Sequence, residues 1–142
     1  MALNIEERQR FLAEPHVAAI SVDSGSADRA PTTVPIWYQY TPGGDIWLLT
    51  GADSRKDKLI RAAGRFTLLV ERISPTVRYV SVEGPVTDRV PGTRDDLVEM
   101  ASRYLPADKV DGYVAMATGG HVERVVYRMR PQRWLSSDLG SF

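Results

Sequence analysis

Apolar residues along the 142-residue chain recur with two periods, and the switches between them mark out short elements. Ile5, Arg8, Phe11 and Leu12 fall at helical spacing. Asn4, with Glu7 three residues on, forms a capping-box pattern that starts this helix, and Pro15 ends it. Val17–Val22 is an apolar run without clean alternation, which predicts a strand buried on both faces. After the polar turn Asp23–Asp28, alternation runs from about Pro31 to Tyr40. Thr33, Pro35, Trp37 and Gln39 share one face of that strand; Val34, Ile36, Tyr38 and Tyr40 share the other. Pro42-Gly43-Gly44 turns the chain into a strand over Asp45–Leu49.

Helical spacing returns from about Ser54 to Ala63 and stops at Gly64, and Phe66–Glu71 is the next strand. Val77–Val86 alternates strictly, with Val80 and Val82 on one face and Tyr79, Ser81 and Glu83 on the other. Gly84-Pro85 is expected to bend or bulge it. Thr93 caps a helix with Asp96 three residues on, and Leu97, Met100, Ala101, Tyr104 and Leu105 form its apolar face up to Pro106. A second short helix over Asp108–Ala117 ends at Thr118-Gly119-Gly120. Val122–Arg130 is the last strand, and Pro131–Leu135 closes the domain. Six strands in consecutive hairpins, with short helices inserted and no βαβ crossover, predict a small closed antiparallel barrel in one domain, residues 1–142.

Composition narrows the function classes. Eighteen cations balance eighteen acids, so neither nucleic acid nor an anionic membrane is the expected main partner. No apolar run approaches the roughly 20 residues a membrane helix needs. The N-terminus has neither a basic start nor a continuous apolar core, so no signal peptide is expected. The chain has no cysteine, which removes disulfides, thiolate metal sites and a cysteine nucleophile, and agrees with a cytoplasmic protein. There is no G-x-S-x-G, G-x-G-x-x-G or Walker sequence. His16 and His121 lack zinc-ligand spacing and read as ordinary strand-end and turn histidines.

One stretch concentrates candidate chemistry. Between the strand at Asp45–Leu49 and the following helix lie Thr50, Ser54, Arg55, Lys56 and Lys58, holding two of the chain's three lysines. A strand that passes to a helix through a small-residue turn directs free N–H groups at one spot, and a helix N-terminus favours anions. Two readings fit: a phosphate site, or a solvated first turn with surface cations. Pro35 is similarly double. A proline cannot donate to a ladder, so its position is an edge, a bulge or a place where a ligand lies alongside, with Trp37 beside it. With no protein nucleophile and no metal cage, the profile suits either a protein whose bound cofactor carries the chemistry or a pure binding module.

In their order, Thr50-x-x-x-Ser54-Arg55-Lys56-x-Lys58-Leu59, the strand Phe66–Glu71 and Arg78-Tyr-Val-Ser-Val-Glu-Gly84 resemble the pyridoxamine 5′-phosphate oxidase-like superfamily of flavin-binding split β-barrels. Pro31–Tyr38 and Pro131-Gln-Arg-Trp134 resemble one branch of it, the group B flavin/deazaflavin oxidoreductases that use coenzyme F420. The resemblance covers nearly the whole chain.

It implies a six-stranded split β-barrel and an oxidoreductase passing a hydride between reduced coenzyme F420, or alternatively FMN, and a small conjugated acceptor. A non-enzymatic cofactor-binding module is the remaining alternative. It also implies that Lys56 holds the cofactor phosphate with Ser54 and Arg55 beside it, and that Thr50 lines the phosphate or ribityl part. The strand Thr32, Thr33, Val34, Pro35, Ile36 would lie along the ring system with Trp37 near it, and Arg78 and Tyr79 would flank the cleft. The family builds its sites at a homodimer interface, which would bring Trp134 from the second subunit. Where the family carries a basic Arg-Asp-Pro-Arg after the helix, this chain has Ala62-Ala63-Gly64-Arg65, leaving fewer cations for an acidic cofactor tail. Nothing after Trp134 matches the substrate-binding C-terminal segment of the pyridoxamine phosphate oxidases proper, so activity on pyridoxamine phosphate is not expected.

Overall fold

A computed structural model describes residues 1–120 and 122–140. Eight strands form one curled antiparallel sheet in the order β2-β1-β5-β6-β7-β4-β3, with β8 also paired to β6. The strands are β1 (Ala18–Val22), β2 (Thr32–Ile36), β3 (Gln39–Tyr40), β4 (Ile46–Gly51), β5 (Arg65–Arg72), β6 (Arg78–Pro91), β7 (Arg124–Met129) and β8 (Arg133–Asp138). The helices are α1 (Ile5–Ala13), α2 (Arg55–Ala63), α3 (Arg94–Tyr104) and α4 (Ala107–Thr118). None of them is long and apolar enough to cross a membrane. His121 lies outside the described residues, so its expected turn is not described.

The half-barrel agrees with the expected split-barrel class, but the sheet does not close as expected, since β2 and β3 stand at its two ends without pairing to each other. The expected count of six strands is also too low. Two physical causes account for the difference. The run from Pro31 to Tyr40 is not one strand, because β2 and β3 are interrupted at Trp37-Tyr38. There the Tyr104 hydroxyl, from α3, accepts the Tyr38 N–H at 3.1 Å and donates to the His16 carbonyl at 2.7 Å. A side chain has taken the place of a ladder partner while the in–out alternation continues through the break. The closing segment, in turn, finds a ladder. β8 pairs with the first half of β6, Trp134 opposite Val82 and Leu135 opposite Ser81. β1 also departs from expectation. Ala18, Ile20 and Val22 are buried while Ala19 and Ser21 are only partly so, giving one core face.

β6 joins the two halves of the sheet. Arg78–Pro85 pairs with β5, and beyond Val86 the same strand pairs with β7, with a register shift between Val86 and Asp88. Gly84 permits the crossing, because a Cβ there would stand 1.8 Å from the Arg130 carbonyl oxygen. The barrel core is built from the inward rows of these strands, among them Ile20, Tyr38, Leu48, Leu68, Val80, Tyr127 and Met129, with Phe11 and Leu12 of α1 and Ile60 of α2. Each such side chain contributes roughly 1.5–3 kcal/mol by leaving water. The α3–α4 hairpin has its own small core of Leu97, Ala101, Val110 and Val114, and Met100 packs with Trp47 and Val126 on the barrel wall. Both predicted capping boxes form, Asn4 with Glu7 and Thr93 with Asp96.

Candidate functional site

The turn from β4 into α2 is held from below by a buried carboxylate. Ser54 caps α2 by accepting the Asp57 N–H at 3.2 Å. Asp53 takes a left-handed φ of 62° and donates its N–H to Asp57 Oδ2 at 2.8 Å. Asp57, fully buried, also accepts from Arg61 at 3.0 Å, from both prongs of Arg89 at 3.0 and 2.8 Å, and from the Tyr127 hydroxyl. Arg89 and Tyr127 face each other across the β6–β7 ladder, so the sheet presents both to one point. The Arg89 guanidinium, with the Tyr127 and Asp53 hydrogen bonds, outweighs burial and holds the Asp57 carboxyl well below the usual carboxylate range.

This anchoring sorts the turn's cations. Arg55 and Lys58 are exposed, while Lys56 is half-buried. No hydrogen bond or ion pair to Lys56 exists among the described residues, and burial lowers its pKa. Lys56 lines two adjoining hollows. One, of about 330 Å³, is walled by Pro35, Ile36 and Trp37 of β2 and its break, with Leu49, Met100 and Tyr113. The other, of about 160 Å³, lies between Lys56, Arg55 and Leu59 of α2 and Thr32 and Val34 of β2. Trp37 is stacked on Tyr104, ring centres 4.8 Å apart, and tilted against Tyr113 at 5.4 Å. A cation without a counter-charge among the described residues, at the end of an apolar aromatic cleft, is suited to the anionic end of a largely planar molecule.

Pro35 lies on an edge strand, since among the described residues β2 pairs only with β1. Its register partner is Ala19. A proline fits there without loss of a ladder bond only if its nitrogen faces away from β1, toward the free edge. Of the other predicted site residues, Thr33 points to the outer face, where its hydroxyl lies 3.3 Å from that of Ser21. Thr50 is buried behind the turn, its hydroxyl 3.4 Å from Ser54.

Three predicted residues lie away from this cleft within the chain. Arg78 donates to Asp138 at 2.8 Å. Tyr79 stands on the outer face of the sheet opposite Glu71 and Ser137. Trp134 packs on its own barrel, under the Arg8 guanidinium at 4.6 Å and edge-on to Tyr40 at 6.3 Å.

The Asp57–Arg89–Tyr127 cluster was not foreseen, nor were the cleft walls Leu49, Met100, Tyr113 and Arg124. Asp57 had a local signal, standing three residues after the capping Ser54. Arg89 and Tyr127 are 32 and 70 residues from it and had none.

No protein-family model matches the chain, and no curated protein matches it. Solved structures do. An F420 reductase is 22% identical over 89% of this chain and 94% of its own, with a TM-score of 0.68. A conserved hypothetical protein of Mycobacterium tuberculosis is 25% identical over 97% of this chain and 86% of its own, TM-score 0.71. An FAD-binding protein of Mesorhizobium loti is 15% identical over 97% and 95%, TM-score 0.61. At these identities the likeness establishes a shared fold, the curled sheet of a split barrel spanning nearly the whole chain.

Proposed function

We propose that this protein is an oxidoreductase that binds a flavin-type cofactor, coenzyme F420 in preference to FMN, and passes a hydride between it and a small conjugated acceptor. The observation that carries the reading is Lys56, a half-buried cation without a protein partner among the described residues, at the junction of two hollows edged by β2. Two structural neighbours agree with it, one described as an F420 reductase and one as FAD-binding. The cofactor, when bound, supplies the hydride-transfer chemistry.

The chain supplies binding and orientation. Lys56 meets the phosphate as a point charge, with the exposed Arg55 available as a fork beside it. The free edge of β2 around Pro35 and the ring of Trp37, fixed by Tyr104, form the wall for the ring system. Leu49, Met100 and Tyr113 keep water from that wall. Thr50 and Ser54 act from behind by fixing the turn. The working unit in this reading is a homodimer, with Tyr79 on the face between subunits.

The preference for coenzyme F420 rests on the resemblance of Val34–Trp37 and Pro131–Trp134 to the deazaflavin branch. An acidic tail along Arg55 and Lys58 would be screened within about 8–10 Å at physiological ionic strength. Fluorescence titrations of both cofactors at low and high salt test this. Coenzyme F420 is expected to bind more tightly and to lose affinity with salt more steeply than FMN. Tighter binding of FMN under both conditions would reverse the assignment. Failure of the reduced, bound cofactor to turn over any member of a panel of activated alkenes would leave a binding module.

A further inference from the structure

A larger cavity, of about 720 Å³, adjoins the Lys56 cleft and shares Leu97 and Arg124 with it. It lies where the β4–α2 turn, the end of β6, the start of α3 and the start of β7 meet. Four arginines line it: Arg61, Arg89, Arg94 and Arg124. Two of them are spoken for, because Arg61 and Arg89 both bind the buried Asp57 and Arg61 also stands 3.6 Å from Asp53. Arg124 uses one nitrogen on the Ala117 carbonyl at 2.9 Å and keeps further donors. Arg94 makes no hydrogen bond or ion pair among the described residues. The backbone brings these two together, since Gly92, two residues before Arg94, donates its N–H to the Arg124 carbonyl at 2.7 Å. The remaining acid among the described lining residues is Glu123. Pro91, Leu97, Val122 and Val125 supply apolar wall.

We propose that this cavity binds a small organic acid, its carboxylate held by Arg94 and Arg124 and its apolar body against Leu97 and Val125. The charge count selects the class. Among the described lining residues, with Arg61 and Arg89 neutralised by Asp57 and Asp53, Arg94 and Arg124 face one acid, Glu123, which leaves about one positive charge for the ligand. A monocarboxylate matches that charge and the planar forks; a phosphate dianion exceeds it. Because the cavity shares a wall with the cleft, the acid bound here is the acceptor of the proposed reaction. That last step rests on the reading given above; the carboxylate site does not.

Calorimetric titration of the protein as purified with benzoate, cinnamate and hexanoate, each against its methyl ester, tests the site. The acids are expected to bind more tightly than their esters. Arg94→Gln should weaken the acids about 5- to 20-fold, the low end of the scale of a lost charge-assisted hydrogen bond because Arg94 is exposed. Arg94→Lys should restore part of the loss, and Lys56→Ala should leave acid binding unchanged. Esters that bind as well as acids, or an Arg94→Gln variant with unchanged affinity, would overturn the proposal. Inorganic phosphate binding more tightly than every acid would overturn the ligand class. Acid binding in a protein that takes up neither cofactor would remove the acceptor role and leave the carboxylate site standing.

Discussion

Asp57 and Arg89, 32 residues apart, are joined by two hydrogen bonds, Nε to Oδ1 at 3.0 Å and Nη2 to Oδ2 at 2.8 Å. Through this pair a strand of the barrel fixes the first turn of α2, and with it the direction of Lys56. The Tyr127 hydroxyl completes the arrangement from the neighbouring strand. Tyr127→Phe removes one hydrogen bond to a charged group and should lower stability by about 1.5–3 kcal/mol. Urea unfolding measures this. Arg89→Leu, which leaves the buried Asp57 without its main partner, should lower it further than Tyr127→Phe does. Equal or smaller loss in Arg89→Leu would show that the pair is not what anchors the turn.

Lys56→Ala should weaken cofactor binding by on the order of 10- to 100-fold, since a hydrogen bond to a charged group is worth roughly 1.5–3 kcal/mol and each 1.4 kcal/mol is tenfold. The fold should be unaffected, because Lys56 has no hydrogen bond or ion pair among the described residues to lose. Fluorescence titration alongside circular dichroism checks both halves. An unchanged dissociation constant would make Lys56 a surface lysine of no functional weight.

Tyr104→Phe keeps the ring stacked on Trp37 and deletes the hydroxyl that accepts the Tyr38 N–H and donates to the His16 carbonyl. Groups left without partners inside the fold cost about 1–3 kcal/mol. Faster hydrogen exchange at the Tyr38 amide should accompany the loss. An exchange rate equal to that of the unchanged protein would refute this account of the break between β2 and β3.

Acid should destabilise the protein in two stages. Burial, against the opposing pull of Glu14, lowers the pKa of His16 below its ordinary 6.5. A base whose folded pKa is depressed stabilises the fold above its unfolded value, and that contribution is lost as pH falls through the folded value. The first decline should therefore begin near pH 6.5 and be absent in His16→Gln. The second begins below the ordinary carboxylate value of 3.8, as Asp57, held lower in the fold mainly by Arg89, starts to bind protons in the unfolded chain first. Thermal melts across pH 3 to 8 would reveal the two steps; a His16→Gln variant that keeps the first would reassign it.

The outer face of the sheet carries a row read directly from the register: Pro35, Ala19, Leu69, Ser81 and Leu135, one from each of five adjacent strands. Leu69 is 37% and Leu135 66% exposed, and no layer among the described residues covers them. A second copy is the proposed cover. Light scattering should report twice the 15.8 kDa chain mass at micromolar concentration, and Leu135→Glu should shift it to the monomer. A monomer across a dilution series of the unchanged protein would sink the dimer.

How much of this could be read along the chain depends on how far apart the interacting groups lie. Both capping boxes, the start of α2 at Ser54 and its stop at Gly64 are local, written in residues one turn apart, and the amino-acid order alone determined them. The irregularity expected at Gly84-Pro85 falls instead between Val86 and Asp88, while Gly84 and Pro85 keep a regular ladder with β5. The antiparallel barrel class followed from alternation and short connections, and the cation-rich turn at Lys56 from composition over a few residues. The count of strands was not local. β2 and β3 separate because Tyr104, 66 residues from Tyr38, supplies a hydroxyl where a ladder partner would stand, and nothing in Trp37-Tyr38 signals it. β8 is a strand because β6 offers it an edge. The placement of the candidate site was tertiary in the same way. Alternation put Pro35 and Trp37 on one face but could not say that Lys56, Met100 and Tyr113 would close around them. Arg78 and Trp134, matched by resemblance, are held within the chain by Asp138 and by Arg8 and Tyr40. A period of two or of 3.6 encodes which face a side chain takes; what it meets on that face is decided only when distant strands find their register.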